Sequence, residues 1–413
     1  MSGSGVASTA GNVAFQSPAF RRFQVVRLLG ILGLQMQGVA VGWQVYDLTG
    51  RPLDLGLVGL VQFVPAMLLW PITGSVVDRV DRRLIVMGTL FGFALTGGLL
   101  ATFATVGIAS LWPIYGTLVI LAIARSFSAP AQQALLPQLV PREHFPNAVT
   151  WSSSLFQLSA IAGPALGGAV YAITGGPRGV YLTAMVLVLA AAATLTTVRP
   201  REAALSRERP SWAQLFEGVR YIRARPIILG AISLDLFAVL LGGAVALLPI
   251  FAKDILQVGP AGLGMLRAAP AVGAAAMAIL LSFRPIRGGA GRKLFTSVAL
   301  FGLATIVFGA STSFWLSAAA LVVVGASDEM SVVIRQTVVQ LATPDDKRGR
   351  VSAVNFLFIG ISNEIGELES GVTAHWLGAR RAAVLGGCGT LLVVLFASWL
   401  SPSLRNVDRL EDV

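Results

Sequence analysis

Residues 84–124 run for 41 positions without an Asp, Glu, Lys or Arg. One crossing of a bilayer takes about 20 apolar residues, so the run predicts two membrane helices split at the turn near Gly107 to Pro113. The charge-free run before it, 55–77, predicts a third. In hydrocarbon every backbone N–H and C=O needs a partner within the protein, which leaves helices or closed barrels as the available spanning structures. Runs of this length belong to helices. Composition agrees, because 12% of the 413 residues are charged and 55% are hydrophobic, with a mean hydropathy of +0.75, whereas soluble domains carry about 25% charged residues.

The same length rule predicts twelve spans, at 23–46, 55–77, 84–106, 111–131, 148–173, 179–198, 227–252, 260–283, 294–310, 314–341, 350–374 and 382–400. The apolar run 294–327 divides near Ser311 to Ser313. The expected fold is an all-α membrane protein of twelve transmembrane helices in two six-helix pseudo-repeats. A polar tail fills 1–22, bundles fill 23–198 and 227–400, a linker fills 199–226, and a second tail fills 401–413. The first tail lacks the basic stretch followed by an apolar core that marks a cleaved signal peptide and is expected to be disordered, and both tails are expected to be cytoplasmic.

Alternate connections hold 22 of the 31 Lys and Arg, the opposite set holds five (Arg51, Arg178, Lys253, Arg380, Arg381), and Arg27, Arg125, Arg267 and Arg335 fall within helices. The excess predicts that both termini are cytoplasmic, in an inner membrane. The net charge of +11 is spread over loops that meet anionic lipid, and nucleic acid is not an expected partner. A single cysteine, Cys388, excludes an intramolecular disulfide, and two histidines exclude a paired-His metal site. No G-x-x-x-x-G-K-[ST] loop is present to bind ATP. Any energy for transport therefore comes from a gradient, and neither metal nor cofactor is expected. Within the linker, Trp212, Leu215, Phe216, Val219 and Ile222 recur at helical spacing opposite Glu217, Arg220 and Arg223, predicting an interfacial amphipathic helix.

The halves align without gaps at an offset of 203, pairing Pro141 with Pro344, Ser159 with Ser362, Gly163 with Gly366, Gly168 with Gly371 and Arg125 with Asp328. The connection after the second span reads Gly74-Ser-Val-Val-Asp78-Arg79-Val-Asp81-Arg82-Arg83. It resembles the loop signature of the major facilitator superfamily, G-x-L-x-D-R-x-G-R-[KR], with Asp81 in place of the second Gly, as in the branch of enterobactin exporters and macrolide efflux proteins. The counterpart in the second half, Gly291-Arg292-Lys293-Leu294, has lost its Asp. Gly163, Pro164, Gly167 and Gly168 are similar to the superfamily's antiporter motif, G-P-x-x-G-G, while Gly163 and Gly167 at i, i+4 also make a plain small-residue packing face. The resemblance implies a monomeric alternating-access transporter for a small molecule. In it Gly74, Asp78, Arg79, Arg82 and Arg83 form a conformational gate, and helices one, four, seven and ten line the cavity.

An ionised residue at mid-bilayer costs at least about 2.5–3.5 kcal/mol, so the charges inside the spans ask for a role. Asp235, Asp328, Glu329 and Arg335 fall on helices that the resemblance assigns to the cavity. Glu364 and Glu367, one turn apart, lie on the eleventh span, where they serve either in transport or as locks for Arg335 or Arg267. Arg125 reads either as an echo of the family's R-x-x-Q-G motif or as a snorkelling side chain near a helix end. Gln35 and Gln37 are candidates for a polar cavity wall. An acid that loads and releases a proton serves antiport, but an acid paired with Arg335 is fixed as an ion. The unpaired acid is therefore the expected carrier.

The reading is a secondary transporter that exports an amphipathic or aromatic small molecule, siderophore- or drug-like, in exchange for protons. The alternatives are a lysophospholipid flippase or uncoupled facilitator on the same fold and, more remotely, a polytopic enzyme or a non-transporting sensor. A reporter active only in the cytoplasm is expected to work when fused after Ser206 or Val413 and to fail in the turn at 49–52. Opposite results at 206 and 413 would break the twelve-span count.

Overall fold

The computed structural model describes residues 12–108, 110–200, 219–286 and 288–408. Among them no strand occurs and twelve long helices follow one another: α1 (Pro18–Thr49), α2 (Pro52–Arg79), α3 (Arg82–Val106), α4 (Trp112–Leu135), α5 (Phe145–Thr174), α6 (Pro177–Thr196), α7 (Pro226–Gly242), α8 (Gly259–Phe283), α9 (Ala290–Ala310), α10 (Phe314–Leu341), α11 (Asp345–Leu377) and α12 (Ala379–Leu400). Eleven of the corresponding segments are apolar enough to span a bilayer on composition alone. The other, α11, has 33 residues, ample length, but carries Glu364, Glu367 and Glu369 in its membrane half. After Gly242 the α7 rod continues through a 3-10 turn (Ala244–Leu247), a single helical turn (Leu248–Ile250) and a π-helical turn (Phe251–Ile255).

The chain divides into two compact units, one formed by residues up to Ala40 with those from Val64 to the linker, the other by Val41–Phe63 with the chain beyond the linker. In the first, α3 packs on α4 and α6, and α5 packs on α6. In the second, α9 packs on α10 and α12, and α11 packs on α12. The pairings repeat one for one. Gly163 of α5 abuts Gln35 of α1, and its partner in the repeat, Gly366 of α11, abuts Val239 and Leu240 of α7. The division departs from the expected boundary at the linker, since the far ends of α1 and α2 associate with the second unit.

Both expected tails are shorter than the sequence suggests, because each hides apolar residues. Val13–Gln16 forms a 3-10 turn in which the Ala14 N–H donates to Asn147 Oδ1 (3.1 Å), and Ser17 Oγ donates to the Leu139 carbonyl (2.6 Å). The Phe15 ring meets Trp151 edge-on at 5.0 Å. At the other end a short helix, α13 (Pro402–Arg405), buries Leu404 among Ala231 and Leu234 of α7 and Leu294 and Phe295 of α9. Asp408 then accepts from the Gly289 N–H through Oδ1 (2.8 Å), and its carbonyl accepts from the Ala290 N–H (3.1 Å). These are unsatisfied donors at a helix start. The second-half loop that lost its Asp thus receives a carboxylate from the far end of the chain.

Most of the predicted linker helix, including Trp212, Leu215, Phe216 and Glu217, lies outside the described residues. Its end, 219–223, is helical. There Ile222 is buried with Ile228, Ile232, Val339 and Val351, and Tyr221 donates from its hydroxyl to the Ala342 carbonyl (3.2 Å). This end rests on α7, α10 and α11, a correction to a purely interfacial placement, because Val219, Tyr221 and Ile222 find apolar protein to cover.

Large apolar side chains point outward along the rods, among them Leu68, Phe91, Phe283 and Leu395. Trp112, Trp315, Trp376 and Trp399, each near a helix end, are at least three-quarters exposed. In water this surface would drive aggregation, but against lipid it forms a hydrophobic belt with aromatic anchors at its rims. Cys388 also lies on the outer surface of α12.

Close packing inside the first unit depends on glycine. A methyl group at Gly167 would lie 2.8 Å from the Met36 Cα, backbone that cannot step aside without moving α1. Gly167→Leu is expected to lower the thermal stability of the detergent-solubilised protein by about 1–3 kcal/mol or more. Gly88→Ala, where the added methyl meets open space, should leave it unchanged.

Candidate functional site

α10 carries Ser327, Ser331 and Arg335 at successive intervals of four, so the three project from one face, and Asp328 borders that face one turn before Ser331. Asp235 comes from the middle of α7. Together with Ala238 and Val239 of α7 and Val298 and Phe301 of α9, the residues Asp235, Ser327, Asp328 and Ser331 line one small cavity inside the second unit. Arg335 Nη1 pairs directly with Asp235 Oδ2, the two side chains being 2% and 8% exposed. A charge pair this dry is tolerated because each ion satisfies the other.

The pair leaves polar capacity unused. Arg335 Nε and Ser327 Oγ are buried without a hydrogen-bond partner among the described residues. Asp328 forms no ion pair among the described residues, and the charge that acts on it is that of its neighbour Glu329. Glu329 itself is half-buried and points away from the cavity lining, as the ~100° step between adjacent helical residues requires. Of the two acids on α10, Asp328 is the one that shares the cavity with Asp235.

The other candidate residues go elsewhere. Gln37 is buried, and its Nε2 donates to Thr96 Oγ1 at 3.4 Å, tying α1 to α3 inside the first unit. Gln35 is half-buried with its Cβ against Gly163, on the seam between α1 and α5. Arg125 is exposed, on the first unit. On α11, Glu367 acts electrostatically on Arg267 of α8 and sits against Gly59 of α2. Glu364 touches the same glycine through its carbonyl.

The charged connection after α2 separates into parts. Asp81 is the N-cap of α3, its Oδ1 accepting from the Arg83 N–H at 2.8 Å. Arg83 reaches to the end of α6, donating from Nη2 to the Thr196 carbonyl (2.5 Å) and from Nε to the Leu195 carbonyl (3.3 Å). Arg22 donates to the next carbonyl, Thr197 (2.8 Å). Cations at a helix C-terminus satisfy its orphan acceptors and its dipole, so Arg83 and Arg22 fasten α6. Arg82 Nε is buried without a hydrogen-bond partner among the described residues. Gly74 and Asp78 are half-buried on the last turns of α2, and Arg79 is exposed at its end.

Sequence reasoning did not single out Ser327 and Ser331, although their spacing to Arg335 was a readable signal. Nor did it select Tyr46, Asp47, Lys253 and Asp254, which look like ordinary interfacial residues until the fold brings them together.

The family described as transmembrane secretion effector, a major facilitator family, matches residues 9–412. The chain is 28% identical to the enterobactin exporter EntS of Shigella boydii, over 91% of this chain and 86% of that one. It is 27% identical to the MFS-type transporter YfiS of Bacillus subtilis (85% and 84%) and 22% identical to macrolide efflux protein A of Streptococcus pyogenes (94% and 95%). Among solved structures, a bacterial homologue of the lysosomal transporter Spinster superposes with a TM-score of 0.71 at 14% identity, covering 97% of each chain. The nucleoside transporter NupG does so with a TM-score of 0.69 at 13% identity, covering 93% of this chain and 99% of its own. These structures show the shared fold. The twelve helices, the repeated packing of the two units and the match over nearly the whole length together make this chain a multi-pass member of the transmembrane secretion effector family of major facilitator transporters.

Proposed function

We propose that this protein is a proton-coupled exporter of a small amphipathic or aromatic molecule, and that Asp328 carries the proton. The observation that supports this reading most is the division of labour within one cavity: Asp235 is committed to Arg335, while Asp328 borders the same space without an ion pair among the described residues. A fixed pair is electrically neutral and stays so. A carboxylate without a cation is costly to hold in a dry bundle, so Asp328 takes up a proton when the cavity closes and releases it when the cavity opens to the more alkaline side. Substrate and proton then alternate at one access point, as exchange requires.

In this reading the protein works as a monomer in the inner membrane with both termini cytoplasmic, as the Lys and Arg distribution supports. It moves its substrate without chemical change and is not an enzyme. Asp78 belongs to the loop that acts as the conformational gate, while Arg83 and Asp81 hold its local structure. The relatives suggest the first probes: a catecholate siderophore such as enterobactin and a macrolide.

Asp328→Asn is expected to abolish proton-driven transport in reconstituted vesicles while leaving substrate exchange that moves no net proton. If Asp328→Asn keeps gradient-driven transport, the carrier assignment is wrong, and if transport never depends on an imposed pH gradient the protein is a facilitator or flippase.

The paired residues should behave in another way. Asp235→Asn leaves Arg335 buried without its counter-ion, a change that costs about 3–5 kcal/mol, whereas replacing both ions by apolar residues is near neutral or stabilising. Asp235→Asn should therefore lower the melting temperature in detergent, and adding Arg335→Met to an Asp235→Leu variant should restore it. A stable Asp235→Asn protein would show that the pair is dispensable to folding.

A further inference from the structure

Beyond α12 the chain turns and lies against the first turns of α7 and α9 as a strap, residues 402–408. The strap takes three backbone donors at the start of α9. The Gly289 N–H donates to Asp408 Oδ1 (2.8 Å), the Ala290 N–H to the Asp408 carbonyl (3.1 Å) and the Gly291 N–H to the Val407 carbonyl (2.9 Å). Such donors have no partner within the helix itself. Two glycines fit the strap to its seat. A methyl at Gly291 would collide with the Leu404 and Arg405 carbonyls, and one at Gly230 of α7 would come within 3.0 Å of Ser401 Oγ.

That seat is continuous with the floor of the cavity that holds Asp328. Leu404, fully buried, belongs to one apolar cluster with Ala231, Leu234 and Ala238 of α7 and Leu294, Phe295 and Val298 of α9. Ala238 and Val298 also line the cavity. Asp235 directly follows Leu234 and stands about 5.4 Å, one helical turn, beyond Ala231. Arg335 likewise follows Ile334, another member of the cluster. From the strap inward the order is therefore Leu404, then Ala231, Leu234, Leu294 and Phe295, then Ala238 and Val298 beside the carboxylates. Asp235, Asp328 and Arg335 border this floor on the cavity side, and Arg405 and Asp408, both exposed, border it on the outer side.

A proton crosses such a layer only along water or through a titratable group. Buried water needs room and two to four polar partners, and hydrocarbon supplies none. Ala231 and Ala290 are small, so the bulk that closes the floor comes from Leu234, Leu294, Phe295 and Leu404. The first three are fixed by their helices. Leu404 comes from the end of the chain and holds its place through the strap. The other flank of α7 is covered separately, by Ile222 of the linker end packed with Ile228, Ile232 and Val351. The strap thus fills the α9 side.

We propose that residues 402–408 seal the Asp328 cavity on the face of the Arg-rich connections, with Leu404 as the plug and Asp408 as the residue that positions it. The seal keeps water from that face out of the interior of the second unit, so Asp328 exchanges its proton only through the transport cycle. The consequence for protons rests on the reading of Asp328 as the carrier, whereas the exclusion of water does not.

The test uses the full chain with Cys388→Ala and one reporter cysteine, Val298→Cys, at a buried position on the cavity lining. Inside-out membrane vesicles turn the Arg-rich face outward, and a membrane-impermeant methanethiosulfonate is added. The reporter should label slowly behind the native strap and behind Leu404→Met, which keeps the bulk of the plug. It should label about tenfold faster after Leu404→Asp, which puts a charge in the plug, or Gly291→Ala, which displaces the strap from the α9 side. Should Leu404→Asp fail to insert, Gly291→Ala carries the same test. Val188→Cys, buried on α6 of the first unit, serves as the control and should stay slow throughout. Slow labelling of Val298→Cys in the displaced variants overturns the seal, as does equal acceleration of the control, which would mean general loosening. A second arm measures passive proton influx into proteoliposomes. Gly291→Ala should leak protons severalfold faster than the native strap, and adding Asp328→Asn should stop the leak. Fast labelling without a leak, or a leak that survives Asp328→Asn, supports the seal and overturns Asp328 as the carrier.

Discussion

The requirement that backbone polar groups find partners inside the protein governs everything else here. In hydrocarbon no water satisfies an open N–H or C=O, so the described chain resolves into long helices whose hydrogen bonds are internal. Irregular backbone is confined to places with local partners, such as the π-helical turn after α7, where Leu256 and Val258 still bond back to Phe251 and Ala252. Helix ends are treated the same way. Asp81 caps α3, Asp408 caps α9, and Arg22 and Arg83 collect the last carbonyls of α6.

Once the helices are self-sufficient, hydrophobicity no longer drives them together, because lipid is as apolar as leucine. Fit takes over. Gly163 and Gly167 let α1 lie on α5, and Gly366 lets α7 lie on α11 in the same way. Gly163 and Gly167 of the antiporter-like motif therefore serve packing within their own unit, and the counterpart on α11 retains the glycine without the proline. Charges inside the bundle obey a different economy. Arg335 and Asp235 neutralise each other, Arg267 has Glu367 at hand, and Asp328 is left beside two serine hydroxyls. That inequality among acids gives the second unit its chemical character.

The two units are not the two halves of the sequence. The linker marks the halves, but contacts assign Val41–Phe63 to the second unit. The π-helical turn presents Lys253 and Asp254 to Asp47 and Tyr46 near the end of α1. Packing, capping and ionic contacts thus divide between joints buried in the bundles and joints exposed to solvent.

The sequence by itself determined the class of fold, the count of helices and the internal repeat. Those follow from local quantities: charge-free run length, turn residues and a constant offset of 203 between matching positions. It also made Asp235, Asp328 and Arg335 suspects, since a charge in an apolar run is visible without coordinates. Only the tertiary structure decided which acid the arginine takes, because α7 and α10 are about a hundred residues apart in the chain and their mutual rotation is set by packing. For the same reason Gln37 turned inward to Thr96, Glu367 fell to Arg267, and the polar tail at the C-terminus became the cap of α9. The Tyr46–Asp254 and Asp47–Lys253 contacts were illegible in the sequence, as each residue alone is unremarkable at a helix end. Long-range partner choice depends on how whole helices fit together, and no local pattern encodes it.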